Sequence, residues 1–263
     1  MSDEELKGKE MPFWEHLAEL ALRLRHIVTV VLILTVAFLV IPSDPSDILK
    51  LFTGDINYRP ISIYILLKIR DDMVGNLGIK LMAQSFAAPI LLYVEAAIVM
   101  AIAISLPYIA YELYLFIEPG LYPHEKKFLK SFVFSFSILF VVGALYGYYI
   151  IMPITFKVLL LFPSLINIEK LFSVQDFYEL VFLGIVANGF FFTLPVFIVL
   201  AVKFRLVDIE TLSKNKRYVY VIVMIIAAII TPDPTPVSML LLSIPFILLY
   251  ELSIFIGKRV KPI

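Results

Sequence analysis

Long apolar runs leave this chain few choices of fold. Six stretches are dominated by aliphatic and aromatic residues: roughly 22–42, 86–117, 128–152, 177–202, 218–230 and 237–257. About 20 such residues in a helix rise 1.5 Å each and cross about 30 Å of hydrocarbon. A helix is the expected answer, because lipid offers a backbone amide no partner and each segment must satisfy its own N–H and C=O groups. Composition agrees: 61% of residues are apolar, 17% are charged, and mean hydropathy is +0.94. A soluble domain of this size would leave large apolar patches in water. The expectation is an all-α, polytopic membrane protein forming one integral membrane domain over residues 1–263.

The six segments are unequal. The second is long for one span and should tilt or protrude. The fifth, 218–230, is too short to cross alone, and the sixth carries Pro245, which should break it. The Pro-rich run Thr231-Pro-Asp-Pro-Thr-Pro236 joins them. A short helical hairpin with a tight extracytoplasmic turn over 231–236 follows. With the N-terminus inside, roughly twice as many lysines and arginines fall on inner as on outer segments, which puts both termini in the cytoplasm. The loop 43–85 then lies outside, and its Ile61–Ile69 stretch suits an interfacial helix capping that face. Residues 1–10 mix acidic and basic groups, and no Ala-x-Ala-like site ends the first apolar run, so no cleavable signal peptide is expected.

Several function classes are disfavoured. The chain has no cysteine, so thiolate metal sites and thiol nucleophiles are out. A formal charge of zero implies no basic surface for nucleic acid. No His-Glu-x-x-His, Gly-x-Ser-x-Gly or Walker loop is present, so no metal, cofactor or enzymatic chemistry is expected. A small-solute secondary transporter remains the alternative. Against it, charged groups at mid-membrane are scarce and no inverted repeat is visible.

Polar pattern concentrates at the inner edge. Over residues 11–26, Glu15, Glu19 and Arg23 recur at i, i+4 and i+8, while Leu17, Leu20, Leu24 and Ile27 take the other face. Pro12 suits the first turn. An amphipathic helix leading into the first span is expected, with a Glu19–Arg23 pair on it. Between the second and third spans runs Phe116-Ile-Glu-Pro-Gly-Leu-Tyr-Pro-His-Glu125. Its Pro119-Gly120 turns the chain, and Glu125 suits a helix N-terminus. Topology puts both carboxylate-bearing motifs on one side. Within the third span, Gly143 and Gly147 have the spacing that admits a close neighbour. Glu95 is expected to pair with a loop cation such as Lys80 or Arg70, and Glu251 to snorkel or meet Lys258.

These strings resemble the C subunit of the twin-arginine translocase (the TatC family). The resemblance rests on Pro12…His16-Leu-Ala-Glu19-Leu-Ala-Leu-Arg23-Leu, on Phe116…Pro119-Gly-Leu121-Tyr122…Glu125, on Gly189-Phe-Phe-Phe-Thr-Leu-Pro195, and on Thr231-Pro-Asp-Pro with Ser243-Ile-Pro245 and Tyr250-Glu251. It covers nearly the whole chain. It implies a concave six-helix bundle in the cell membrane that docks signal peptides bearing adjacent arginines. Glu19 and Glu125 would be the docking carboxylates, with Glu15, Arg23, Phe116 and Tyr122 around them. Arginine's planar donor fork explains why lysine would be a poor substitute. It also implies single-span TatA/TatB-type partners, membrane lipid, an oligomeric complex, and drive from the proton-motive force. Two residues depart from the family pattern. Ala21 replaces an arginine of the first motif. Thr193 stands where most members carry a glutamate within the fourth span, leaving Asn188 as another source of mid-membrane polarity.

Overall fold

The computed structural model describes residues 13–44, 46, 58–120, 122–230 and 236–258, with the backbone alone at 13, 123–125 and 230. Pro12, Leu121 and the turn residues 231–235 lie outside the described residues, as do 45 and 47–57 of the first loop. The chain divides into two compact units, residues 1–70 with 85–137, and 71–84 with 138–263.

The first unit is built on an antiparallel helix pair. Helix α1 runs Phe13–Val40 without interruption, so the amphipathic segment and the first span are one helix. Its partner α3 is Ala88–Ile117, with a proline in its first turn where no amide hydrogen bond is lost. Short α2, Ile61–Val74, lies between them in sequence and extends five residues beyond the expected Ile69. Ser62 in α2 donates to the Phe38 carbonyl at 3.0 Å, and the Tyr93 hydroxyl donates to the Leu39 carbonyl. These contacts satisfy carbonyls in the last turn of α1, which have no partner within the helix. A single 3₁₀ turn, Glu118–Gly120, ends α3, and α4 follows over Pro123–Tyr146. Residues of α4 up to Ser137 belong to this unit.

The second unit centres on a long helix. After α4 come a π-helical turn at Gly147–Ile151, then α5, Met152–Leu159, and α6, Leu161–Leu165. Strand β2, Leu171–Ser173, pairs in parallel with β1, Lys80–Met82, a small ribbon absent from the sequence expectation. Ser173 then caps α7, Val174–Lys203, accepting from the Asp176 amide at 3.4 Å. At its far end Arg205 adopts φ 56°, and the Leu206 amide reaches back to the Ala201 carbonyl at 2.9 Å while Arg205 reaches Val202 at 3.1 Å. That is a Schellman closure with a left-handed residue after the helix. Short α8, Ile209–Lys214, precedes α9, Lys216–Ile230, and α10, Pro236–Gly257.

Five described helices are long and apolar enough to cross a membrane: Trp14–Val40, Ala88–Gly120, Lys126–Leu165, Val174–Lys203 and Pro236–Gly257. The chain is a multi-pass membrane protein. Of the six expected spans, the fifth becomes α9. Its 15 residues rise only about 22 Å, as the sequence anticipated. The surface fits a lipid solvent: Leu32, Ile33, Val36, Ile104, Leu183, Ile229 and Leu248 are all more than half exposed. Hydroxyls inside these helices bond back to their own carbonyls, as Thr35 does to Val31 and Ser253 to Leu249, each at 2.8 Å. Pro245 does not break α10, contrary to expectation.

Candidate functional site

The polar face of α1 meets the last turns of α3 within the first unit. Antiparallel pairing sets His16, Glu19, Arg23 and His26 against Tyr108, Glu112 and Phe116. Each set recurs at three- or four-residue spacing, so each lies on one helical face. The His16 ring stacks on Phe116 with centroids 4.3 Å apart and planes 22° from parallel.

At the centre is a guanidinium between two carboxylates. Arg23 Nη2 donates to Glu19 Oε1 at 3.3 Å, and Nη1 donates to Glu112 Oε2 at 3.2 Å. The first pair is the i, i+4 contact expected from the sequence. The second joins residues far apart in the chain, and the sequence reading did not single out Glu112. Glu112 is 4% exposed, and its other oxygen accepts from the Tyr108 hydroxyl at 2.5 Å. His26 Nδ1 lies 3.5 Å from that same oxygen. A buried carboxylate needs such partners, since an isolated charge there would be severely penalised. The available signal was an acidic residue inside an apolar helix, one helical turn before Phe116, which is costly unless paired and functional by default.

The other expected residues are placed as follows. Glu15 is exposed in the first turn of α1. Tyr122 is exposed before α4, and Lys126 Nζ sits 3.7 Å from a Glu118 oxygen across that turn. Glu125 falls in the first turn of α4, but its side chain lies outside the described residues. The structure therefore brings Glu19, Arg23 and Phe116 to one helix–helix seam with Glu112, and it leaves the Glu19–Glu125 relationship undescribed.

The two polar residues expected at mid-membrane lie in the second unit, on α7. Thr193 is buried and donates to the Phe190 carbonyl at 2.7 Å. Asn188 is 1% exposed, and its amide donates to the Gly184 carbonyl at 2.7 Å. Its Oδ1 has no hydrogen-bond partner among the described residues. Gly143 and Gly147 pack directly on this helix. A Cβ at Gly143 would stand 2.6 Å from Phe192 Cβ and 2.7 Å from the Asn188 carbonyl oxygen. The close approach expected from their spacing is present.

Comparison with known proteins agrees along the chain. The family model described as "Sec-independent protein translocase protein (TatC)" matches residues 15–245. A Sec-independent protein translocase protein TatC from Rickettsia prowazekii is 34% identical over 252 residues, covering 95% of this chain and 93% of that relative. A protein of the same name from Magnetococcus marinus is 38% identical over 158 residues; the match covers 60% of this chain and 58% of that relative, under two thirds of its length. The crystal structure of a twin arginine translocase receptor, TatC, superposes with a TM-score of 0.68 at 29% identity, covering 93% of this chain and 99% of that one.

Proposed function

Because the chain belongs to the TatC family of Sec-independent protein translocase proteins, we propose that it is the receptor subunit that docks signal peptides bearing adjacent arginines. The observation that carries this reading is the Arg23–Glu19 contact at 3.3 Å. Glu19 already accepts a guanidinium, the group an Arg-Arg signal would present. Phe116, stacked under His16, supplies an aromatic neighbour against which a second guanidinium can lie. Glu125, in the first turn of α4, is the second docking carboxylate, with Glu15, Arg23 and Tyr122 around the pair. Two carboxylates suit two planar donor forks, and the fork geometry favours arginine over lysine.

This site lies on the cytoplasmic side of the cell membrane, with both termini in the cytoplasm, as the lysine and arginine bias favours. The subunit is not an enzyme. It nucleates a complex with further copies and with single-span TatA/TatB-type subunits, and the proton-motive force drives export of folded proteins. The family match gives a small-solute transporter no support.

Crosslinking of a labelled Arg-Arg signal peptide to membranes carrying Glu19→Ala or Glu125→Ala tests the docking site. Each variant should crosslink substantially less than the parent chain. Undiminished crosslinking in both would sink the assignment.

A further inference from the structure

Glu112 has no place in the docking reading as it stands, yet it is the most heavily coordinated acidic side chain at that seam. Three groups from two helices converge on it: Arg23 at 3.2 Å, Tyr108 at 2.5 Å and His26 at 3.5 Å. Arg23 is shared. It makes one hydrogen bond to each carboxylate and a bidentate fork with neither, and its Nε is buried with no partner among the described residues. Glu19 and Glu112 carry two negative charges against one guanidinium, so one carboxylate charge is left over. Burial assigns the halves: the Glu112 side chain is 6% exposed and that of Glu19 is 17% exposed. The deeper carboxylate needs Arg23 more, since it has less water to fall back on.

An incoming arginine meets Arg23 first as a like charge and a competitor for Glu19. We propose that Glu112 is a positioning residue for signal docking, holding and neutralising Arg23 so that Glu19 can be given up to the guest guanidinium. The inference rests on the docking role of Glu19 proposed above. Arg23 stays with Glu112 when the guest arrives, and its bond to Glu19 is the one exchanged. Without the Glu112 charge, Arg23 has Glu19 as its one carboxylate partner at the seam, and the guest must displace it.

Binding of a fluorescent Arg-Arg signal peptide to the purified full-length chain in nanodiscs tests this, with a Lys-Lys peptide as control. Glu112→Gln keeps an acceptor for Tyr108 but removes the charge, and it should weaken binding roughly tenfold. Adding Arg23→Gln to that variant should restore affinity to within about threefold of the parent, because Glu19 is then uncontested. A scaffold role, or direct contact of Glu112 with the peptide, predicts no such rescue. Unchanged binding by Glu112→Gln, or a double variant as weak as the single, overturns the proposal. Should Glu112→Gln fail to fold, Glu112→Asp decides: its shorter carboxylate draws back from Arg23 and should weaken Arg-Arg binding severalfold, and undiminished binding overturns the proposal. Glu19→Gln and Glu125→Gln separate the two claims. If both bind like the parent, the docking reading itself fails; if Glu19→Gln loses binding, the docking role of Glu19 stands and Glu112 is judged by the rescue.

Discussion

Tyr146 donates its hydroxyl to the carbonyl of Leu241 at 2.7 Å, and Leu241 is the residue whose carbonyl Pro245 leaves without a helical donor. A proline has no N–H to return to the residue four before it. In lipid an orphaned carbonyl is expensive, and a neighbouring helix commonly supplies the missing donor. Tyr146, at the end of α4, does so for α10, and its ring also lies 5.2 Å from that of Phe192 on α7. This is why α10 runs on through Pro245 where the sequence alone predicts a break.

Tyr146→Phe should therefore destabilise the fold by about 1–3 kcal/mol, the cost of leaving one acceptor unsatisfied. The same substitution in a Pro245→Ala background should cost much less, because alanine at that position returns the N–H. A double-mutant cycle on thermal unfolding in detergent measures the difference, and simple additivity would show that the hydroxyl does not serve that carbonyl.

The membrane helices were legible because lipid punishes every departure from an apolar, self-satisfied helix, so α1, α3, α4, α7 and α10 appear close to their expected bounds. The tight seam at Gly143 and Gly147 was legible for the same reason: only small residues permit it. Partners across the chain were not. Glu251 is expected to snorkel or meet Lys258; the structure hydrogen-bonds it to Lys216 of the facing helix at 2.6 Å and to the Tyr220 hydroxyl. Nothing in local spacing selects between two lysines on different helices. Glu112 is hard to read from sequence for a related reason, since its guanidinium partner is 89 residues away. The ribbon of β1 and β2 likewise joins two three-residue segments too short to carry a period.

Gly143→Leu should be among the most damaging single changes in the second unit. Its side chain would enter space held by Phe192 and by the Asn188 backbone, and a backbone cannot step aside as a flexible side chain does. Overpacking of this kind costs typically about 1–3 kcal/mol. Gly120→Leu is the matched control, since a Cβ there has nothing within 4 Å. Thermal shifts of the two purified variants should differ clearly, and equal shifts would place Gly143 in looser surroundings than these.

Thr193→Val should leave both stability and export close to the parent. The hydroxyl's hydrogen bond stays within its own helix, to Phe190, so a shape-matched apolar replacement leaves no buried donor stranded. The change should fall within about 0.5 kcal/mol, since such local back-bonding adds little to a helix whose carbonyls already have amide donors. Loss of export with an unshifted unfolding temperature would mean that a polar group at this position acts on something outside the helix.

The His16–Phe116 stack fixes the first turns of α1 against the end of α3, and its geometry makes it separable from the ion pairs one turn away. A near-parallel pair at 4.3 Å contributes about 0.5–1.5 kcal/mol beyond the area it buries. Phe116→Ala should release the α1 residues before Glu19 while leaving the Arg23–Glu112 contact in place. Amide hydrogen exchange would then speed up severalfold at Leu17 and Ala18, the first amides of α1 with an intrahelical acceptor, and stay unchanged around Arg23. Phe116→Trp keeps an aromatic face and should restore protection. If the alanine variant exchanges like the parent at Leu17 and Ala18, helix propensity alone holds that end, and any effect of Phe116 on peptide binding must come from contact with the peptide itself.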